Sequence, residues 1–273
     1  MTLAATTVLV RGDDYSRSMV GKQATRPSGR SSALTSVERA LNAVRIDACA
    51  VMLYGSRARG TERPDSDIDI LALVETKPGS VQFGNVSITY YTSAHLLHMA
   101  ESGSLFIKHL RDEGSCISDP AGLLNSIFAV YTPRSNYDSL RSDLAAVLSA
   151  LSVSDRKYYA DGLIRAGVWA ARSAVYVVGA EREELSFDTL TACERASVPE
   201  LAGVLRDRSI MSVDQLRELG LQALGVTRVP LDLRLASVAL SFWESNPMAA
   251  KILESILAGR SQLEYTHLTL PIV

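Results

Sequence analysis

Two carboxylates separated by one apolar residue, Asp67-Ile68-Asp69, close the run "YGSRARGTERPDSDIDI" (Tyr54 to Ile70), which opens on Gly55-Ser56. Side chains alternate along a strand, so a strand here sends Asp67 and Asp69 the same way and Ile68 into a core. Two adjacent carboxylates repel unless a hard cation joins them, and Mg²⁺ favours carboxylate and phosphate oxygens. A strand that ends at Gly55-Ser56 and enters a helix exposes free backbone amides. Glycine lets a ligand approach closely, and Ser56 adds a hydroxyl. Arg57 and Arg59 can neutralise a polyphosphate. Together these residues suit a cation-bound triphosphate with its α-phosphorus open to a hydroxyl. The plain alternative is a polar turn, "ERPDSD", before a strand with a solvated aspartate face.

Gly55-Ser56, ten residues, then Asp67-Ile68-Asp69 resembles the GS-x10-DxD pattern of the DNA polymerase beta-like nucleotidyltransferase superfamily. The run "YGSRARGTERPDSDIDILAL" looks like its minimal and aminoglycoside-type members, and "TSAHLLHMAESGSLFIKHLRDEGSCIS" resembles helices that follow the third strand there. The likeness covers about residues 36 to 119. It implies Mg²⁺-dependent transfer of a nucleoside monophosphate from an NTP, ATP above all, to an acceptor hydroxyl, with release of pyrophosphate. By the same resemblance Asp67 and Asp69 are catalytic and hold the metal, while Gly55, Ser56, Arg57 and Arg59 bind the nucleotide. The acceptor stays open between a small molecule, a protein side chain and a tRNA end.

The superfamily pattern also carries a third acid on a neighbouring strand. Aligning "NVSITYYT" places Ser87 at that position, and no Asp or Glu lies between Val81 and His98. Serine is a poor Mg²⁺ ligand and no general base at neutral pH, and loss of a positioned base costs ~10²–10⁴ in rate. Three consequences stay open: a base from the helical half, an acceptor that needs little activation, or nucleotide binding without turnover. The last describes a nucleotide-binding regulatory or toxin–antitoxin-type component.

In the second half, Tyr158, Asp161, Arg165, Trp169 and Arg172 recur on one helical face. They read either as a polar wall over the site with Asp161 as the acceptor base, or as an Asp161–Arg165 pair beside a core. Arg172 has no following histidine at the spacing of HEPN ribonucleases, since His95, His98, His109 and His267 all lie elsewhere. His95 and His98 lack a third metal ligand and read as surface residues. Glu75, about 20 Å along a strand from Asp69, and Glu101 read as surface charges.

These residues need elements to position them. Thr35-x-x-Glu38 is a capping box for a short helix over 36–46. "DACAVMLYG", "DIDILALVE" and "VSITYYT" read as three strands. Thr92 or Ser93 starts a helix, and "SLFIKHLRDEG" makes another. Beyond Pro120 the pattern is helical, over 137–151, 154–179, 186–196, 198–207, 212–223 and a pair within 231–260. The expected fold is α+β: a flexible arm over 1–33, a small mixed-sheet nucleotidyltransferase domain over 34–119, an all-α helical bundle over 120–262, and a tail over 263–273. The short "TTVLV" in the arm suits an edge strand or a partner contact.

The 273 residues suffice for two cores, and a net charge of −2 argues against an extended nucleic-acid surface. Cys49, Cys116 and Cys193 lack zinc or disulfide spacing and read as reduced, small buried hydrophobes. No apolar run suits a membrane helix, and the N-terminus makes a poor signal peptide. The expected location is the cytoplasm, with room for a homodimer or a partner protein.

Overall fold

The computed structural model describes residues 37–64, 66–207, 212–228 and 230–259. Thr35 of the capping box, the whole arm over 1–33 and the tail over 263–273 lie outside them. The chain divides into two compact units, residues 1–43 and 44–273. Of the first, a helix α1 is seen at 37–41, shorter than the expected 36–46. The Ala43 amide reaches back only three residues, to the Ala40 carbonyl, and Asn42 is a weak helix former.

In the second unit a five-stranded mixed sheet is built from β1 (Ala50–Tyr54), β2 (Ile68–Leu73), β3 (Gly79–Phe83), β4 (Val86–Tyr91) and β5 (Ser115–Ser118), in the order β3-β4-β2-β1-β5. β2 lies at the centre, antiparallel to β1 and parallel to β4. The expected third strand is therefore β4. The segment before it, "GSVQF", forms an additional edge strand, and "SCIS" forms the opposite edge. Both edge strands are largely exposed, so they lack the apolar alternation that marks a half-buried strand.

Ile68, Ile70 and Ala72 of β2 are fully buried on one face. On the other, Leu71 and Leu73 join Ala50 and Met52 of β1 in a core. That core is closed by α3 (Ser93–Glu101), α4 (Leu105–Glu113) and α5 (Leu123–Ala129) through Leu96, Met99, Ile107, Leu110, Leu124 and Ile127. The Thr92 hydroxyl caps α3 by accepting from the His95 amide, and Ser104 caps α4 through the Phe106 amide. The short α5 was not legible in the periodicity.

The rest is helical: α6 (Asp138–Ala150), a 3₁₀ turn (Arg156–Tyr158), α7 (Ala160–Glu181), α8 (Thr189–Arg195), α9 (Pro199–Arg206), α10 (Val213–Ala223), α11 (Leu235–Ser241) and α12 (Pro247–Leu257). The long α7 is the spine of a second core, packing against α6 and α10. A Cβ on Gly220 of α10 would lie 2.9 Å from Leu148 of α6 and 3.4 Å from the Ala171 backbone of α7, so this crossing depends on a residue without a side chain. No described helix is long and apolar enough to cross a membrane. Cys193 is buried and Cys49 half-buried, but Cys116 lies exposed on the edge strand β5, contrary to the expectation of a buried thiol.

Candidate functional site

The turn between β1 and β2 determines how the site is shaped. β1 ends at Tyr54, and Gly55 adopts φ 77° before the one-turn helix α2 (Ser56–Arg59). A left-handed φ favours glycine, and space demands it as well. A Cβ on Gly55 would sit 2.7 Å from Oδ2 of Asp69. The start of the turn is thus held against one of the two candidate metal ligands.

Asp69 lies on β2 opposite Tyr54 of β1 and Ser87 of β4. The register therefore puts a serine beside Asp69, at the position where the alignment placed the third acid. Burial pushes the Asp69 carboxyl up to about 6, helped by the charge of Asp67; Arg172, Arg59 and Arg57 pull it down. Asp67, just before β2, is exposed. Two nearby carboxylates, one of them costly to ionise, suit a cation that arrives with phosphate oxygens of its own, as Mg²⁺ does with a nucleotide. Among the described residues no group of three or more His, Cys, Asp or Glu could hold a metal by protein ligands alone. Asp67 and Asp69 fit a cation that brings phosphate oxygens of its own.

The two arginines of the turn have specific partners. Arg57 donates from Nε to the Asp67 carbonyl at 3.1 Å and from a terminal nitrogen to the Ser66 carbonyl at 2.7 Å. Here it braces the loop that presents Asp67, where the sequence suggested a phosphate contact. Arg59 donates to Oε2 of Glu113 at 2.9 Å, and that oxygen also lies 3.3 Å from Nδ1 of His109. Burial alone would raise the Glu113 carboxyl, but the nearby His109 and the hydrogen-bonded Arg59 outweigh it and lower it. Glu113 sits at the end of α4 and gave no signal in the sequence; only the fold brings it to Arg59.

A chain of edge-on rings joins this corner to the helical half. Tyr54 meets His109 (6.1 Å between ring centres), His109 meets Phe187 (4.5 Å) and Phe187 meets Tyr176 of α7 (5.2 Å). Arg172 stands one turn before Tyr176, half-buried, with Nε buried and without a hydrogen bond among the described residues. Asp161 is exposed in the first turn of α7. It lies eleven residues from Arg172, about 16 Å of helical rise. Arg165 is exposed as well, and Trp169 is buried. The face that reads as continuous in sequence is thus mixed in burial, with Asp161 and Arg165 exposed, Trp169 buried and Arg172 half-buried. His98 is exposed, His95 is half-buried and edge-on to Tyr91, and Glu75 and Glu101 are exposed.

Beside α2 a cleft of about 230 Å³ opens between Ser56, Arg59, Arg63 and Ser66 on one side and Asp188 and Arg206 of the helical half on the other. Asp188 caps α8, and its carboxyl is lowered first by the Thr191 amide, with Arg59 and Arg206 contributing. Arg63 and Arg206 were not singled out by sequence reasoning, because neither belongs to a local motif.

Residues 42–119 match the family "Polymerase beta, Nucleotidyltransferase". This segment is a nucleotidyltransferase domain of the DNA polymerase beta-like superfamily. The match contains Gly55, Ser56, Asp67, Asp69 and Ser87 and ends just after β5. A nucleotidyltransferase-like protein from Exiguobacterium sibiricum, of known crystal structure, is 13% identical over 85% of this chain and 80% of its own, with a TM-score of 0.25. That superposition is too poor to bear on the argument. No curated protein matches the chain.

Proposed function

We propose that this nucleotidyltransferase domain, over residues 34–119, moves a nucleoside monophosphate from an NTP, ATP above all, to an acceptor hydroxyl, and that the helices over 120–262 form a wall of the acceptor site. The observation that carries the reading is the approach of Gly55 to Asp69: the turn leaves room for no Cβ at the point where a cation-bound phosphate would meet both turn and carboxylates. Asp67 and Asp69 would hold Mg²⁺, which when bound screens the triphosphate charge.

The chain's own residues do the rest. Gly55 and Ser56 seat phosphate oxygens. Arg57 fixes the loop behind Asp67 through two carbonyls. Arg59, anchored by Glu113, and the arginines at 63 and 206 line the adjoining cleft, which suits the outgoing pyrophosphate. The acceptor oxygen forms its bond to the α-phosphorus as the bond to pyrophosphate breaks. Its proton passes to water or to a carboxylate of the helical wall, the role open to Asp161. The acceptor is a small molecule, a protein or a tRNA, and the cytoplasm is the proposed location.

Ser87 opposite Asp69 favours a second reading, a nucleotide-binding regulatory or toxin–antitoxin-type component with reduced or lost transfer. Incubation with each α-³²P-labelled NTP and Mg²⁺, with Asp67→Ala/Asp69→Ala as control, separates the two. Label transfer and pyrophosphate release that vanish in the control establish the transferase. Cation-dependent binding without transfer across an acceptor panel establishes the binder, and absence of binding sinks both.

A further inference from the structure

The cleft beside α2 holds more than an outgoing pyrophosphate explains. Its walls come from both halves of the chain: Ser56, Arg59, Arg63 and Ser66 from the nucleotidyltransferase domain, Asp188 and Arg206 from the start of α8 and the end of α9. A series of contacts joins the walls. Arg59 donates to Oε2 of Glu113 at 2.9 Å, and that oxygen lies 3.3 Å from Nδ1 of His109. The His109 ring packs edge-on, 4.5 Å between centres, against Phe187, the residue before Asp188. Arg59 is thus committed to Glu113, whereas Arg63 and Arg206 are exposed and make no ion pair among the described residues.

Three guanidiniums suit a chain of phosphates; a carboxylate among them does not. Asp188 caps α8 through one oxygen, Oδ1, which accepts from the Thr191 amide at 3.0 Å and the Thr191 hydroxyl at 2.9 Å. An N-cap needs only an acceptor oxygen, and asparagine serves there as well as aspartate. The charge of Asp188 is therefore surplus to the fold.

We infer that this cleft tells a nucleoside triphosphate from a monophosphate: Arg206, contributed by the helical half, holds the terminal phosphates with Arg63, and Asp188 limits that hold so that pyrophosphate leaves. A monophosphate seated on Gly55 and Ser56 offers no oxygens to either arginine. Pyrophosphate keeps all of its contacts with the cleft after transfer, and a cleft of unopposed guanidiniums would retain it. One carboxylate beside them repels the product, while the intact nucleotide keeps its further contacts at the Gly55 turn and the aspartates.

This inference rests on the proposed nucleotide site, and its test separates the two. Binding of α,β-methylene-ATP, AMP and inorganic pyrophosphate in Mg²⁺ is measured by calorimetry for the wild type, Arg206→Gln, Asp188→Asn and Lys251→Gln. Lys251 is an exposed cation of α12 that does not line the cleft, so its variant controls for net charge. Arg206→Gln should weaken both pyrophosphate and the ATP analogue about ten-fold, the loss of one charge-assisted hydrogen bond, and leave AMP unchanged. Asp188→Asn should bind pyrophosphate several-fold more tightly, and Lys251→Gln should match the wild type throughout. Equal pyrophosphate affinity in Arg206→Gln and Lys251→Gln would overturn the inference and leave the nucleotide site standing. So would a loss for pyrophosphate alone, since the phosphate held in the cleft would then belong to a molecule other than the nucleotide. Pyrophosphate bound no more tightly by Asp188→Asn would overturn the part given to that charge. Failure of the wild type to bind the ATP analogue at all would overturn both.

Discussion

Asp69 and Asp143 are both aspartates withdrawn from water, one in each half of the molecule, and burial raises the carboxyl pKa of both. Their surroundings then diverge. Asp143, 5% exposed on α6, accepts from the Ala249 amide at 3.1 Å, and the Met248 amide also favours its charged form. It caps the start of α12, whose own N-cap residue, Asn246, makes no capping bond with its side chain. Asp69 has a like charge beside it in Asp67, arginines around it, and a glycine that leaves the approach to Oδ2 clear. A buried acid that receives backbone donors holds a fold together. A half-buried acid with a second acid's charge beside it is a candidate to receive something.

The largest effect expected from this contrast is at Asp69. Asp69→Asn should weaken Mn²⁺-dependent nucleotide binding by about 100-fold or more, in line with the roughly 10–100-fold losses seen even for residues that only support a metal ligand. Asp143→Asn should leave binding unchanged. Titration of a fluorescent nucleotide with and without Mn²⁺ measures both, and equal losses in the two variants would refute the distinction.

Next comes the turn that faces Asp69. Gly55→Ala pays for a left-handed backbone and for a Cβ 2.7 Å from Oδ2, whereas Gly60→Ala, at φ 71° with nothing within 4 Å, pays for the backbone alone. The conformational cost is about 1–2 kcal/mol at Gly60, in the left-handed helical region, and up to about 3 kcal/mol at Gly55, whose ψ of −158° puts it in a region open almost only to glycine. The expectation is clearly weaker nucleotide binding for Gly55→Ala and little change for Gly60→Ala, with the larger loss in melting temperature at Gly55. Equal binding by the two variants would show that the close approach is incidental.

What the sequence disclosed follows the range of the interactions. The Gly-Ser turn and the aspartate pair are local, so a fixed spacing displays them. Ser87 was reached by counting along a strand, and in the register it lies opposite Asp69. The edge strands β3 and β5 escaped because each is held by one neighbour and needs little apolar surface. The partners of Arg57 and Arg59 escaped for another reason. A guanidinium nine or ten residues from a carbonyl, or fifty-four from Glu113, has no spacing rule to reveal which oxygen it meets. The polar face of α7 was visible, but a helix of 22 residues is longer than the site it borders, and periodicity does not say which end touches.

On the stability side, Asp143→Ala strands amide donors at the start of α12 and should cost about 1–3 kcal/mol, read as a lower urea midpoint with nucleotide binding per folded molecule unchanged. Asp69 should act in the opposite direction, and more gently. Its carboxyl rises from 3.8 to about 6 on folding, so between those values the folded state binds more protons than the unfolded one. Stability of the cation-free protein must then fall as pH rises from about 4 to about 6. Discounted for the partial exposure of the carboxylate, the change from this group is about 1–2 kcal/mol. Asp69→Asn removes it, so the variant that loses the nucleotide should be the more stable protein at pH 7, and Mn²⁺ with nucleotide should restore the wild type to parity. Urea melts at pH 4.5 and 7 decide the matter. If wild type and Asp69→Asn show the same pH slope, the strain at Asp69 is absent, and the contrast with Asp143 reduces to a difference in hydrogen bonding.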